Sequence, residues 1–221
     1  MRTYAFVDAS NLFYGFDTEY GWRIDYSRFK KYLQDKYEAK DVFYFGGIDT
    51  KLGIKPNYEY FHDYSKNDTV NLNELIRHFE NILKTYKPLS EAQIVLANKY
   101  IQRAKFYRKL ESFGYKLVTK PVKRYGNETF DTPKRKANCD VDLTLHVLSN
   151  IDQFDRAVVI SGDGDFLPLY KYLEKNEKEI LVLSRSSKVA KEVTRHLGTR
   201  FLEIRMLQPH IEMQGDSKSK K

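Results

Sequence analysis

Five apolar runs of strand length, at residues 3–8, 41–46, 115–120, 156–161 and 179–184, recur along this chain, and most are followed by a stretch with helical periodicity. A shorter run covers 200–204. Runs such as AVVIS and ILVLS do not alternate apolar with polar residues, as a strand with one wet face would. Strands that are apolar on both sides need helices on both. The pattern therefore predicts an α/β chain, a three-layer fold around a mostly parallel sheet. A chain that doubles back after three strands has the order 3-2-1-4-5, with 200–204 as a sixth strand at the edge.

The helices are placed by their apolar faces. Residues 24–38 put Phe29, Tyr32 and Leu33 on one side, residues 165–176 do the same with Phe166, Leu169, Tyr170 and Leu173, and residues 187–197 stop at Gly198. The segment from 56 to about 115 is too long for a simple crossover. It carries a helical stripe of Leu72, Leu75, Ile76, Phe79, Ile82, Leu83 and Tyr86, broken at Pro88, and then Ser90 and Gln93, spaced as a capping box. We read a helical hairpin inserted over about 56–98, its apolar face packed on its own domain. A lid or a contact between copies of a homo-oligomer is the other use of such a face. The expectation is a single domain over 1–213 and a basic, disordered tail over 214–221.

Composition removes several classes. The chain has 221 residues and one cysteine, Cys139, so it is no disulfide scaffold. It starts without a signal-like apolar core, and no window approaches the roughly 20 apolar residues that span a bilayer, so a cytoplasmic protein with no membrane partner is expected. The histidines at 62, 78, 146, 196 and 210 show no HxxxH or HxxH spacing, and no GxxxxGK[ST], GxGxxG after the first strand, or GxSxG occurs. The net charge of +8 is regional: residues 98–136 hold twelve Lys or Arg against Glu111, Glu128 and Asp131. Interleaved with Tyr and Phe, such a stretch favours nucleic acid over an acidic membrane, the alternative being a solvated helix face.

The acids fall where strands end. The first run ends in FVDASN, which sets Asp8 at the carboxyl edge with Ser10 and Asn11 following; the fourth ends in SGDGDF, which sets Asp163 and Asp165 at the same edge beside Gly162 and Gly164. Two acids so close repel unless a cation or a proton intervenes. In KANCDVDLTLHVL we expect Val141, Leu145 and Leu148 to form the buried stripe, with Asp140 at its boundary and Asp142 about 200° away from Asp140. Each acid also has a plainer reading: Asp8 and Asp165 as helix caps, Asp140 as a first-turn acid that complements the helix dipole. Together they form a hard-oxygen set suited to Mg²⁺ or Mn²⁺, and one or two such ions support phosphodiester hydrolysis.

VDASN at 7–11, KANCDVDL at 136–143 and SGDGDFLPL at 161–169 resemble the motifs of NYN domain proteins, the LabA-like branch of the PIN-like nuclease superfamily. The resemblance implies a PIN-like sheet and an acidic Mg²⁺ or Mn²⁺ site that cleaves RNA, with Asp8, Asp140, Asp163 and Asp165 as ligands and Asn11 beside them. Lys120, Lys123, Arg124, Lys134, Arg135 and Lys136 are then expected on phosphates, and Tyr125 or Phe130 against an unpaired base. Ser10 or Ser161 is expected to help position phosphate, and Asn11 to orient Asp8 or a water. The expectation is an endoribonuclease that leaves 5′ phosphate and 3′ hydroxyl ends. The alternative is a non-catalytic RNA-binding or regulatory adaptor, and DNA stays open as a substrate.

Overall fold

The computed structural model describes residues 1–13, 16–52, 70–86, 88–125 and 134–214. The start of the expected insertion, Phe130 and the tail from 215 lie outside the described residues. In chain order the elements are β1 (Thr3–Asp8), α1 (Ala9–Phe13), α2 (Phe16–Tyr20), α3 (Tyr26–Tyr37), β2 (Ala39–Ile48), α4 (Leu72–Thr85), α5 (Glu91–Ser112), β3 (Lys116–Pro121), β4 (Lys123–Tyr125), β5 (Lys134–Lys136), α6 (Asp140–Ser149), β6 (Arg156–Ile160), α7 (Leu167–Lys175), β7 (Glu179–Ser184), α8 (Lys191–Leu197), β8 (Phe201–Glu203) and α9 (Gln208–Ile211).

Six strands form one sheet in the order β3-β2-β1-β6-β7-β8. β1 pairs in parallel with β2 and β6, and the pairs β6–β7 and β7–β8 are also parallel. The expected α/β order holds, with β8 as the sixth, edge strand. All six residues of β1 are buried, which is why its interior residues, Tyr4, Ala5, Phe6 and Val7, do not alternate apolar with polar. β4 and β5, a separate antiparallel pair, were not expected from the sequence.

The chain forms two compact units: Met1–Phe45, Phe113–Lys116 and Cys139–Lys221 make the first, and Gly46–Ser112 with Leu117–Asn138 the second. In the first, Phe6 stacks on Phe43 with ring centroids 5.6 Å apart, and Tyr4 and Phe154 close the cluster. α3 is capped by Asp25, whose side chain accepts from the N–H groups of Ser27 and Arg28; it buries Phe29, Leu33 and Tyr37, with Tyr37 in place of the expected Tyr32. In the second, Asn71 caps α4, which buries Leu72, Leu75, Ile76, Phe79 and Ile82. The Ser90–Gln93 capping box forms, with Ser90 N–H donating to Gln93 Oε1 at 2.8 Å and Gln93 N–H to Ser90 Oγ at 3.3 Å. Phe79 meets Tyr100 of α5 at 5.4 Å.

α6 corrects the expected stripe. Val141 and Leu145 are 71% and 63% exposed, whereas Leu143 and Val147 are buried. The helix is turned so that Asp140, three residues before Leu143 and seven before Val147, sits on the inward face rather than at its boundary. His146 shares this turn, its ring 4.4 Å from that of Phe43 and 5.6 Å from that of Phe45. Burial first, and then Lys116, hold the imidazole below its ordinary pKa. The unfolded chain therefore takes up a proton near pH 6.5 that folded His146 refuses, so stability is held above that pH and lost as the pH falls through it. Melting curves between pH 7.5 and 5.5 should show a steeper loss for the wild type than for His146→Phe; parallel curves would contradict this.

Candidate functional site

β1 delivers Asp8 to the carboxyl edge, 4% exposed. Its Oδ1 accepts from Ser10 N–H at 2.9 Å, Ser10 Oγ at 2.6 Å and Asn11 N–H at 3.4 Å, so Asp8 does cap the turn into α1. Its Oδ2 accepts from Ser161 Oγ at 3.0 Å. Ser161 in turn accepts from the N–H of Asp163 at 3.2 Å. Ser161, with Ser10 one of the two serines expected to help position phosphate, is fully buried and links Asp8 to the backbone that carries Asp163.

Past β6 the chain turns through a short 3₁₀ helix, Gly164–Phe166, into α7. Asp163 caps this turn, its Oδ1 accepting from Asp165 N–H at 2.9 Å. The cap is thus Asp163 and not Asp165, whose carboxylate remains exposed. Asp140, at the first position of α6, meets both: one carboxylate oxygen from each of Asp140, Asp163 and Asp165 lies within 4.8 Å of the others. Asp8 lies outside this group and is tied to it through Ser161. Three carboxylates this close repel strongly, and hard oxygen donors without nitrogen or sulfur suit Mg²⁺ or Mn²⁺. The residues present therefore fit a divalent cation.

Two glycines let the edge close. A Cβ on Gly162 would lie 2.8 Å from the backbone oxygen of Lys188 and 2.8 Å from Val189 Cα, and the Gly162 carbonyl accepts from Ala190 N–H at 3.0 Å. A Cβ on Gly164 would lie 2.8 Å from Glu192 Oε1, so a further carboxylate stands beside the Asp163–Asp165 turn.

Asn11, expected to orient Asp8 or a water, makes two contacts with the chain at the end of β7. Its Oδ1 accepts from Ser184 Oγ at 3.1 Å, and its carbonyl accepts from Arg185 Nη2 at 2.8 Å. Arg185 is buried and pairs with Glu19 at 3.0 Å, while Ser187 donates to Glu19 and Ser186 to Glu203. This network fixes the segment after Asp8 against the loop after β7. Sequence reasoning missed Arg185 and Glu19; the only local signal is a charged residue directly after the buried strand ILVLS.

Of the residues expected on nucleic acid, Lys120 lies on β3. Lys123, Arg124 and Tyr125 form β4 and pair with Lys136, Arg135 and Lys134 of β5. The ribbon is basic at every position but Tyr125. Among the described residues, no helix is long and apolar enough to cross a membrane.

The sequence profile of the NYN domain family matches residues 55–205, about two thirds of the chain. The protein belongs to the NYN domain family. The match takes in Asp140, Asp163 and Asp165 and starts after Asp8. The Low amplitude and bright protein LabA of Synechococcus elongatus is 30% identical over 108 residues, 47% of this chain and 55% of LabA. The aligned stretch thus spans about half the length of that relative. Both matches bear out the resemblance read from the motifs. Among solved structures, a protein of unknown function from Vibrio parahaemolyticus aligns with a TM-score of 0.53 and 16% identity over 96% of each chain, a likeness of fold. The T5 5′-exonuclease with bound zinc ions gives a TM-score of 0.44 and 16% identity over 88% of this chain and 60% of that one.

Proposed function

We propose that this protein is a Mg²⁺- or Mn²⁺-dependent ribonuclease that hydrolyses phosphodiester bonds within RNA chains. The observation that carries this reading is the trio Asp140, Asp163 and Asp165, gathered within 4.8 Å in a chain of the NYN family. The trio, with Asp8 behind Ser161, would hold the cation; when bound, it polarises a phosphoryl oxygen and favours ionisation of water. In the hydrolysis, water adds to phosphorus, the bond from phosphorus to the 3′ oxygen breaks, and the departing oxygen takes a proton. The products carry a 5′ phosphate and a 3′ hydroxyl.

Binding belongs to the basic residues. Lys120 and the β4–β5 ribbon supply positive charge for phosphates, and Tyr125 a ring on which a base can stack. Six to ten such phosphate contacts would weaken binding by roughly 10³ to 10⁵ between 50 and 200 mM salt, a sensitivity that a small-molecule phosphatase would lack. A reducing cytoplasm suits the single cysteine.

The test is cleavage of an end-labelled, partly structured RNA in Mn²⁺, Mg²⁺ or EDTA, with a DNA of the same sequence beside it. Cutting in the metal lanes, absent in EDTA and in Asp163→Asn, is the expected result. Intact RNA in every lane with salt-sensitive binding retained would replace the nuclease by an RNA-binding adaptor, and preferential cutting of DNA would change the substrate.

A further inference from the structure

Arg185 follows directly on β7, and its side chain is 3% exposed. Taking a guanidinium out of water is costly even when it is paired, and an apolar side chain of that length would fill the space without the cost. What the guanidinium adds is direction. Its Nη1 donates to Glu19 Oε2 of α2 at 3.0 Å, and its Nη2 donates to the Asn11 carbonyl of α1 at 2.8 Å. One planar fork thus holds both short helices that follow Asp8, a geometry that the compact ammonium of a lysine does not match.

The backbone around Arg185 reaches two of the acids. Asn11 belongs to the turn whose Ser10 and Asn11 N–H groups donate to Asp8 Oδ1, and Ser184 Oγ, one residue before Arg185, donates to Asn11 Oδ1 at 3.1 Å. The Arg185 carbonyl accepts from the N–H groups of Lys188 and Val189 at 2.9 and 3.0 Å, closing a turn that brings Ala190 N–H to the Gly162 carbonyl at 3.0 Å. Gly162 is the residue before Asp163. Ser187 donates to Glu19 and Ser186 to Glu203, so the loop after β7 is held at successive residues.

We propose that Arg185 is a positioning residue of the acidic site: its guanidinium fixes the turn that orients Asp8 and, through the loop after β7, the backbone that carries Asp163, in the arrangement a divalent cation needs. Buried as it is, Arg185 acts through the acids, as groups behind metal-ligating side chains do. A buried ion pair adds little net stability over an apolar replacement, so the role shows in cation binding more than in folding. The inference rests on the reading of these acids as a cation site.

The test is Mn²⁺ binding to the full chain, followed by titration calorimetry well below each melting transition, for the wild type, Arg185→Lys and the double variant Arg185→Met with Glu19→Gln. Melting temperatures in EDTA are measured alongside. Arg185→Lys keeps a cation beside Glu19 but loses the fork that also reaches Asn11, and should weaken Mn²⁺ binding about tenfold. The double variant removes the pair without leaving a lone charge, so it should melt within about 5 °C of the wild type and bind Mn²⁺ as weakly as Arg185→Lys. RNA cleavage at limiting Mn²⁺ should fall in step and recover at saturating Mn²⁺. Equal Mn²⁺ affinity in all three proteins would overturn the role of Arg185 and leave the cation site standing. No Mn²⁺ binding in the wild type would overturn the cation site and the proposal with it. Should both Arg185 variants fail to fold, Ser184→Ala, which removes one bond from the same loop to Asn11, decides: weakened Mn²⁺ binding at an unchanged melting temperature supports the proposal, and unchanged binding overturns it.

Discussion

Asp165→Asn should abolish RNA cleavage and, in EDTA, raise the melting temperature. Asp165 is the exposed member of the trio, and among the described residues its carboxylate makes no hydrogen bond, whereas its N–H is held by Asp163. The substitution therefore removes charge and leaves the turn intact. At separations within 4.8 Å, each pair of carboxylates repels by about 1 kcal/mol even with water-like screening. Asp165 belongs to two such pairs, so relief of about 2 kcal/mol corresponds to a rise of roughly 4 to 8 °C for a chain of this size. The same substitution weakens the hold on the cation, which supplies several kcal/mol of transition-state stabilisation, so cleavage should fall about 10³-fold. Mn²⁺ at 100 times its dissociation constant should stabilise the wild type by about 2.7 kcal/mol and the variant much less. Calorimetric melting with and without Mn²⁺, beside the cleavage assay, checks both halves. A variant that cuts like the wild type removes Asp165 from the site, and one that melts no higher in EDTA shows that the carboxylates do not strain the apo fold.

The parts of this site that could be read from the sequence are those fixed by chain order. Strand ends follow from apolar runs, and a parallel sheet that doubles back after three strands brings the end of β1 beside the end of β6, so chain order alone puts Asp8 and the SGDGDF turn at one edge. Rotation of a short helix was not legible. In α6 both Val141–Leu145–Leu148 and Leu143–Val147 are apolar sets at helical spacing, and what selects the second is packing of His146 against Phe43 and Phe45, residues about 100 positions away. The choice of cap was equally ambiguous, because Asp163 and Asp165 both adjoin Gly164 and only the point where β6 ends decides which one faces the free N–H. Arg185 with Glu19 could not be found locally, being 166 residues apart and joined only once the sheet exists.

Gly162→Ala should be the most damaging single methyl at this edge. The added carbon would lie 2.6 Å from Ser184 Oγ, 2.8 Å from the Lys188 carbonyl oxygen and 2.8 Å from Val189 Cα. A side chain can swing away, though Ser184 would forfeit its bond to Asn11. The backbone at 188–189 has no such freedom, because Ala190 N–H is bonded to the Gly162 carbonyl itself. Overpacking of this kind costs about 1 to 3 kcal/mol, which lowers the melting temperature by roughly 3 to 10 °C. Gly164→Ala is the matched comparison: its Cβ meets the end of the Glu192 side chain at 2.8 Å and Ala190 Cβ at 3.0 Å, and the glutamate can rotate into solvent, so its loss should be about a third as large. Chemical denaturation of the two variants orders them directly. Equal losses would mean that the loop after β7 yields as easily as a side chain, and that the position of Asp163 is set by its bond to Ser161 rather than by close approach of the backbone at Gly162.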